Sequence, residues 1–226
     1  MRGIARILFA SIFSVSLACC GHALIRAEQS DGLREARQAR KLLKGGRPAE
    51  GYERFARLVL EHPRQLDINR WYVEAAAKTG RLDDARAYFE KLRASGRMPE
   101  VVEYGLALVD AARGGRGLEG AAAHLREAIR LAPETPEFHY RLGLLYLLDS
   151  RAAEAQAPLK KALELEPENA RYRVVYADAL CQLRKDDDAM AVLEPLLRQD
   201  VSAEVVKKAR GVANRIFDPM RDSTPE

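Results

Sequence analysis

A chain of 226 residues with 47% apolar and 31% charged side chains has ample material for a core and is too apolar to be disordered. Ala, Leu, Arg and Glu are prominent while Val, Ile and Thr are sparse, which excludes a large β-sheet and points to a mostly helical protein. The formal charge is +4, but the basic residues are interleaved with acids rather than gathered in one run. They read as solvated helix faces, and no nucleic-acid partner is expected.

In chain order, "MRGIAR" supplies two arginines and "ILFASIFSVSLA", Ile7 to Ala18, a charge-free run. This run has the length of a secretory signal core and falls short of the roughly 20 residues that a membrane-spanning helix needs. Residues 1–18 are read as an export signal and 19–31 as a linker. Directly after the run, "SLACCGHA" places Cys19 and Cys20 where bacterial lipoproteins carry their lipidated cysteine, and the stretch resembles such a signal. The match departs from the pattern in either register. Cys19 has Ser16 where an aliphatic residue is usual; Cys20 has Leu17 there but Cys19 where Gly or Ala is usual. Cys19 is the first choice for lipidation and Cys20 the second. Lipoproteins of this type carry several acyl chains on one cysteine, which anchors durably where a single chain holds only marginally. The resemblance implies an exported, periplasmic protein held by lipid at the cell membrane or outer membrane. The alternative is cleavage after Ala23 in "GHA", leaving a soluble periplasmic chain. Cys181 then has no intramolecular partner and reads as a small buried apolar residue.

From Gly32 onward the chain repeats itself. The stretch "LGLLYLLDSRAAEAQAPLKKALELEP", Leu142 to Pro167, serves as a template, and its columns recur at steps of 34 residues. The small residue Gly143 returns as Ala177, Ala107 and Ala39, with Val73 the larger exception. Ala155 returns as Ala189, Ala121, Ala85 and Gly51, and the bulky Leu159 as Leu193, Leu125, Phe89 and Phe55. Pro167 returns as Pro133 and Pro63. Five units result, at residues 32–65, 66–99, 100–135, 136–169 and 170–203, the third longer by two residues that fit in "RGGRG".

Each unit reads as two antiparallel helices broken at "KGGRP", "KTGRL", "RGGRG", "LDSRA" or "LRKDD". Small residues at Gly143 and Ala155 let paired helices approach, Tyr146 and Leu159 fill the space around them, and the closing proline turns the chain into the next pair. Pro158 lies in the first turns of its helix, whereas Pro195 lies well inside and should kink it. Residues Ser202 to Phe217 read as a helix begun by a Ser cap, with 204–217 covering the end of the stack and 218–226 a tail. These columns resemble the tetratricopeptide repeat family over residues 32–203. The resemblance implies an all-α, right-handed superhelical solenoid of five helix-turn-helix repeats plus a C-terminal capping helix.

In that family the first helix of each pair lines a concave groove that binds partner segments. Carried onto this chain, the groove face holds Tyr140, Leu144, Leu147 and Leu148 in the fourth unit and Tyr104 and Leu108 in the third, an apolar centre. In the first two units it holds Arg40, Lys44, Arg70 and Lys78, with Glu74 among them. The expected occupant is a protein or peptide segment that sets acidic residues beside a hydrophobic anchor. The family's clamp for acidic chaperone tails needs asparagines that are absent here, its columns reading Arg40, Glu74, Leu108, Leu144, Asp178 and Arg37, Trp71, Gly105, Arg141, Val175. Trp71, beside Tyr72, is either core packing or a groove anchor.

No catalytic constellation stands out. His22, His62, His124 and His139 are scattered, and there is no zinc motif or Gly-rich phosphate loop, so neither metal nor cofactor is expected. His124 and His139 read as surface or packing residues. The chain is expected to be a non-catalytic scaffold or adaptor of the bacterial cell envelope, serving assembly of an envelope machine. The alternative is a periplasmic holdase-like chaperone with little sequence preference.

Overall fold

A computed structural model describes residues 32–115, 117–198 and 203–216, and all regular structure among them is α-helical. The export signal, Cys19 and Cys20, the linker to residue 31, Ser202 and the tail lie outside the described residues. The helices are α1 (32–44), α2 (Pro48–Glu61), α3 (Leu66–Thr79), α4 (Leu82–Ala94) and α5 (Pro99–Arg113), then α6 (Gly117–Leu131), α7 (Pro136–Leu148) and α8 (Ala152–Leu165), and finally α9 (Ala170–Gln182), α10 (Asp186–Arg198) and α11 (Ala203–Ile216). They form the expected all-α array of helix-turn-helix pairs. Two compact units divide the chain, Met1–Ala87 and Tyr88–Glu226, with the boundary inside α4.

Local chemistry starts and stops these helices. Proline opens α2, α5 and α7, where its missing N–H costs nothing. Asn169 caps α9 by accepting from the amides of Arg171 and Tyr172. Acidic residues crowd the first turns of α4 and α10, where the helix dipole favours them. Both α8 and α10 continue past their internal prolines to Leu165 and Arg198.

The turn inside each pair takes a left-handed residue at one repeating place: Gly46, Gly80, Gly114 with Gly115, Ser150 and Arg184, all with φ between 53° and 79°. At Gly80 the amide closes α3 on the carbonyls of Ala76 and Ala77. A residue with a Cβ is strained there by roughly 1–2 kcal/mol, a strain Ser150 and Arg184 carry.

Within pairs the helices touch at the small columns. A methyl group added at Gly143 would come within 2.4 Å of Leu159 Cγ, and one at Gly51 within 2.7 Å of Leu43 Cδ2; across the joint from α4 to α5, one at Gly105 would come within 2.1 Å of the Phe89 ring. Beside these contacts Phe55, Phe89, Leu125, Leu159 and Leu193 are all buried. Removing each from water contributes roughly 1.5–3 kcal/mol. In the first unit α2 packs on α3; in the second, packing runs from α5 to α10 in succession, and α11 lies against both α9 and α10. Ala209, Val212 and Ala213 of α11 are buried there, so this helix covers apolar surface of the last pair.

Between pairs a second device recurs. A proline that ends a helix leaves carbonyls without intrahelical partners. Asn69 Nδ2 donates to the Pro63 carbonyl at 2.7 Å, His139 Nε2 to that of Pro133 at 2.7 Å, and Arg173 Nη2 to that of Pro167 at 2.6 Å. Each donor stands six residues after its proline and pins the start of the next first helix. His139 is thus a buried packing residue. At the joint between the second and third repeats Arg97 stands in place of the proline and Glu103 in the donor column, where it pairs with Arg93 at 3.0 Å and His124 at 2.6 Å.

Two substitutions separate these contributions in urea unfolding. Gly105→Ala should cost about 1–3 kcal/mol, because the Phe89 ring must give way. Ser150→Gly should add up to about 1 kcal/mol by relieving the left-handed turn.

Candidate functional site

In the first unit the sites of interest lie on α1 and α3. Residues 32–44 contain five basic residues and one acidic residue, a concentration that the chain-wide charge of +4 conceals. From α1 Arg40, and from α3 Arg70, the guanidinium carbons lie 5.4 and 5.2 Å from the centre of the Trp71 ring. Such cation–π contacts stabilise by about 0.5–2 kcal/mol depending on burial. Trp71 is 6% exposed and also packs on Phe55 with ring centres 6.2 Å apart. Asp67 holds Arg70 at 2.5 Å and Glu74 pairs with Lys78 at 3.5 Å, while Lys44 is exposed at the end of α1.

This cluster leaves donors unused. Arg40 Nε, Arg70 Nε and Trp71 Nε1 are all buried and have no hydrogen-bond partner among the described residues. A buried donor in that condition costs about 1–3 kcal/mol. Trp71 therefore has its ring packed in the interior, the first of the two roles read from the sequence.

The second unit builds a similar arrangement and completes it. Glu137, near the start of α7, has a side chain 12% exposed and accepts four hydrogen bonds. Its Oε1 takes Arg141 Nε at 2.7 Å and the Tyr104 hydroxyl of α5 at 3.4 Å; its Oε2 takes Arg171 Nη2 at 2.6 Å and the Tyr172 hydroxyl of α9 at 3.2 Å. Tyr140 stacks on Tyr172 with ring centres 4.7 Å apart, and the Arg171 guanidinium sits 4.7 Å from the first ring and 5.3 Å from the second. One carboxylate thus clasps α5, α7 and α9. Burial works to lower the Arg141 guanidinium's affinity for its proton, but the charges of Tyr104 and Glu137 outweigh it and the pKa is raised. Burial, then Glu137, pushes the Tyr172 hydroxyl well above its ordinary range.

The residues expected to floor the groove are distributed unevenly. Tyr104 and Tyr140 are buried among the aromatic and arginine side chains just described, Leu108, Leu144 and Leu147 are half-buried, and Leu148 is 70% exposed. Glu137, Arg141, Arg171 and Tyr172 were not singled out from the sequence as site residues. A signal was present: Glu137 and Arg141 stand four apart on one helix, and Arg171 lies 34 residues after Glu137, in the same column of the next repeat. Farther along, α9 and α11 enclose a cleft of about 370 Å³ lined by Val174, Val175, Asp178, Lys208, Gly211 and Val212. His124 sits between Glu103 at 2.6 Å and Asp110 at 3.7 Å. Among the described residues no group of three or more His, Cys, Asp and Glu is placed to hold a metal ion, and no helix is long and apolar enough to cross a membrane.

Comparison with known families accounts for the repeated geometry. Models of the tetratricopeptide repeat match residues 36–99 and 146–211, and a further TPR repeat model matches residues 117–149. The chain belongs to the tetratricopeptide repeat family. Solved structures agree on the fold. A thermophilic tetratricopeptide repeat protein of Thermus thermophilus, TTC0263, is 24% identical with a TM-score of 0.60, covering 82% of this chain and 99% of its own. A tetratricopeptide repeat protein from Parabacteroides merdae is 13% identical with a TM-score of 0.54, covering 86% of this chain and 75% of its own. YrrB, described as having an unusual peptide-binding site, is 14% identical with a TM-score of 0.51, covering 84% of this chain and 97% of its own. No curated protein matches the chain.

The Glu137 clasp can be tested in urea unfolding. Glu137→Gln should cost about 2–3 kcal/mol by leaving two guanidinium groups uncompensated. Adding Arg141→Gln to that variant should cost less than Arg141→Gln does alone, since the partner is already gone.

Proposed function

We propose that the chain is a non-catalytic adaptor of the bacterial cell envelope, exported by residues 1–18, anchored through lipid on Cys19 or Cys20, and holding a segment of another protein against its first helices. Tetratricopeptide repeat proteins generally mediate protein–protein interactions, and YrrB, which has this fold, carries a peptide-binding site. The observation that carries the reading is a pair of arginine-on-aromatic clusters drawn entirely from first helices, Arg40, Arg70 and Trp71 in one unit and Arg141, Arg171 and Tyr140 in the other. Arginine and aromatic side chains are the ones most enriched at the energetic centres of protein interfaces. Their mutual stacking fixes rotamers before a partner arrives, which lowers the ordering cost of binding. Leu148, exposed at the end of α7, offers an apolar contact beside the second surface.

The envelope assignment rests on the charge-free run Ile7 to Ala18 and on the cysteines that follow it. Cleavage after Ala23 would give the same adaptor in soluble form.

In-cell photo-crosslinking tests the reading. Reactive residues placed at Lys44 and at Leu148, exposed on first helices, should each capture the same dominant envelope protein, whereas one at Leu60, exposed on α2, should not. Capture of many unrelated chains, or equal capture from Leu60, would contradict a selective adaptor.

A further inference from the structure

We infer that α1 is a membrane-docking helix, which lays the exposed basic row Arg34, Arg37 and Lys41 on a bilayer surface rich in anionic phospholipid. The inference rests on the export and anchoring part of the adaptor reading and adds a second membrane contact, made by the folded array itself. The first repeat, residues 32–65, holds nine basic and four acidic residues, whereas residues 66–226 hold 25 and 27. The surplus behind the formal charge of +4 therefore lies in one repeat. Beyond α1 the basic residues of the first unit are largely paired. Arg47 and Arg54 pair with Glu50, Arg70 with Asp67, Lys78 with Glu74 and Arg81 with Glu53. On α1, Arg37 and Lys41 are exposed and make no ion pair among the described residues.

Steps of three and four residues put Arg34, Arg37 and Lys41 on one side of α1, over about 10 Å of its length. Ala36, Ala39 and Leu43, on another side, are buried in the array. The helix thus has no apolar face to sink into a bilayer, and the contact is one of charge with lipid headgroups. A row of exposed, unengaged charges reads the density of opposite charge rather than a sequence, which suits a lipid surface better than a partner chain. Position supports the same occupant. With lipid on Cys19, the chain up to Gly32 spans at most about 45 Å even when fully extended, so α1 stays within reach of the bilayer. Tethering makes docking intramolecular, and a row too weak to recruit a free protein suffices to hold an anchored one. Docking brings the first repeat to the membrane and leaves residues 66–226, with their near-balanced charge, without a comparable attraction.

Vesicle sedimentation tests the inference on the mature chain, residues 19–226, made without acyl chains so that only its own surface can bind. Phosphatidylcholine vesicles containing phosphatidylglycerol should carry it down, and pure phosphatidylcholine should bind it more weakly by about tenfold or more. Salt near 1 M, where exposed charges are screened beyond about 3 Å, should release it. Arg37→Gln and Lys41→Gln should each weaken binding by about fivefold. Lys160→Gln, which removes the same charge from an exposed site on α8, should leave it unchanged. No binding, equal binding to both vesicles, or an equal loss from Lys160→Gln would overturn the inference. So would binding to soluble polyglutamate as tight as to the charged vesicles, by assigning the face to acidic protein. If Leu148 captures a single envelope protein while the vesicles stay bare, the adaptor reading stands and this inference fails. Vesicle binding without any captured partner would mean the reverse.

Discussion

Everything functional in this molecule depends on how closely the two helices of a pair can approach. Gly143 and Gly51 leave no room for a Cβ, and Ala85, Ala121, Ala155 and Ala189, in the same column as Gly51, are all buried. Contact at that distance fixes the register of one helix against the other, and the left-handed turn at Gly46, Gly80 and Ser150 is the connection that permits it. Once the register is fixed, residues about one repeat apart become neighbours on successive first helices. Glu137 thereby meets Arg171, Tyr140 meets Tyr172, and Arg40 meets Trp71. None of these pairs is close in sequence. The proline pins at Asn69, His139 and Arg173 act at the other joint, holding the starts of α3, α7 and α9 to the end of the preceding pair.

The same scaffold then presents one kind of surface in two states of completion. The second unit places a carboxylate among its arginines, and Glu137 uses all of its accepting capacity on four donors. The first unit places two arginines and a tryptophan together, and among the described residues Arg40 Nε, Arg70 Nε and Trp71 Nε1 find no acceptor. A protein interior tolerates few such groups.

Much of the architecture was legible because the constraints that build it are column-like. Close approach demands a small residue, the interior beside it demands a bulky one, and helix termination favours proline, so Gly143, Leu159 and Pro167 return at fixed steps. The pins could not be read in the same way. Their positions require only a donor that reaches a carbonyl, and amide, imidazole and guanidinium all meet that requirement, so Asn69, His139 and Arg173 share no visible signature. The groove face was hardest to read in α7. Its sequence is apolar on nearly every side, so periodicity could not tell the covered side from the open one, and Tyr140 lies buried while Leu148 is exposed. The Glu137 clasp escaped because it joins three helices, and only the fold brings Tyr104 and Arg171 to one carboxylate. Trp71 was legible as a residue with two possible roles; that its N–H is unpaired depends on where Arg40 arrives from α1.

The contrast between an open and a completed cluster can be measured in the free protein by nitrogen–proton NMR of the arginine Nε–H and tryptophan Nε1–H groups. The single indole signal belongs to Trp71 without further assignment. The account predicts that the Trp71 and Arg40 signals show no hydrogen bond, while the Arg141 Nε–H, donating to Glu137, is shifted downfield and protected from exchange. A downfield, protected Trp71 signal, or an Arg141 signal indistinguishable from that of Arg40, would contradict it.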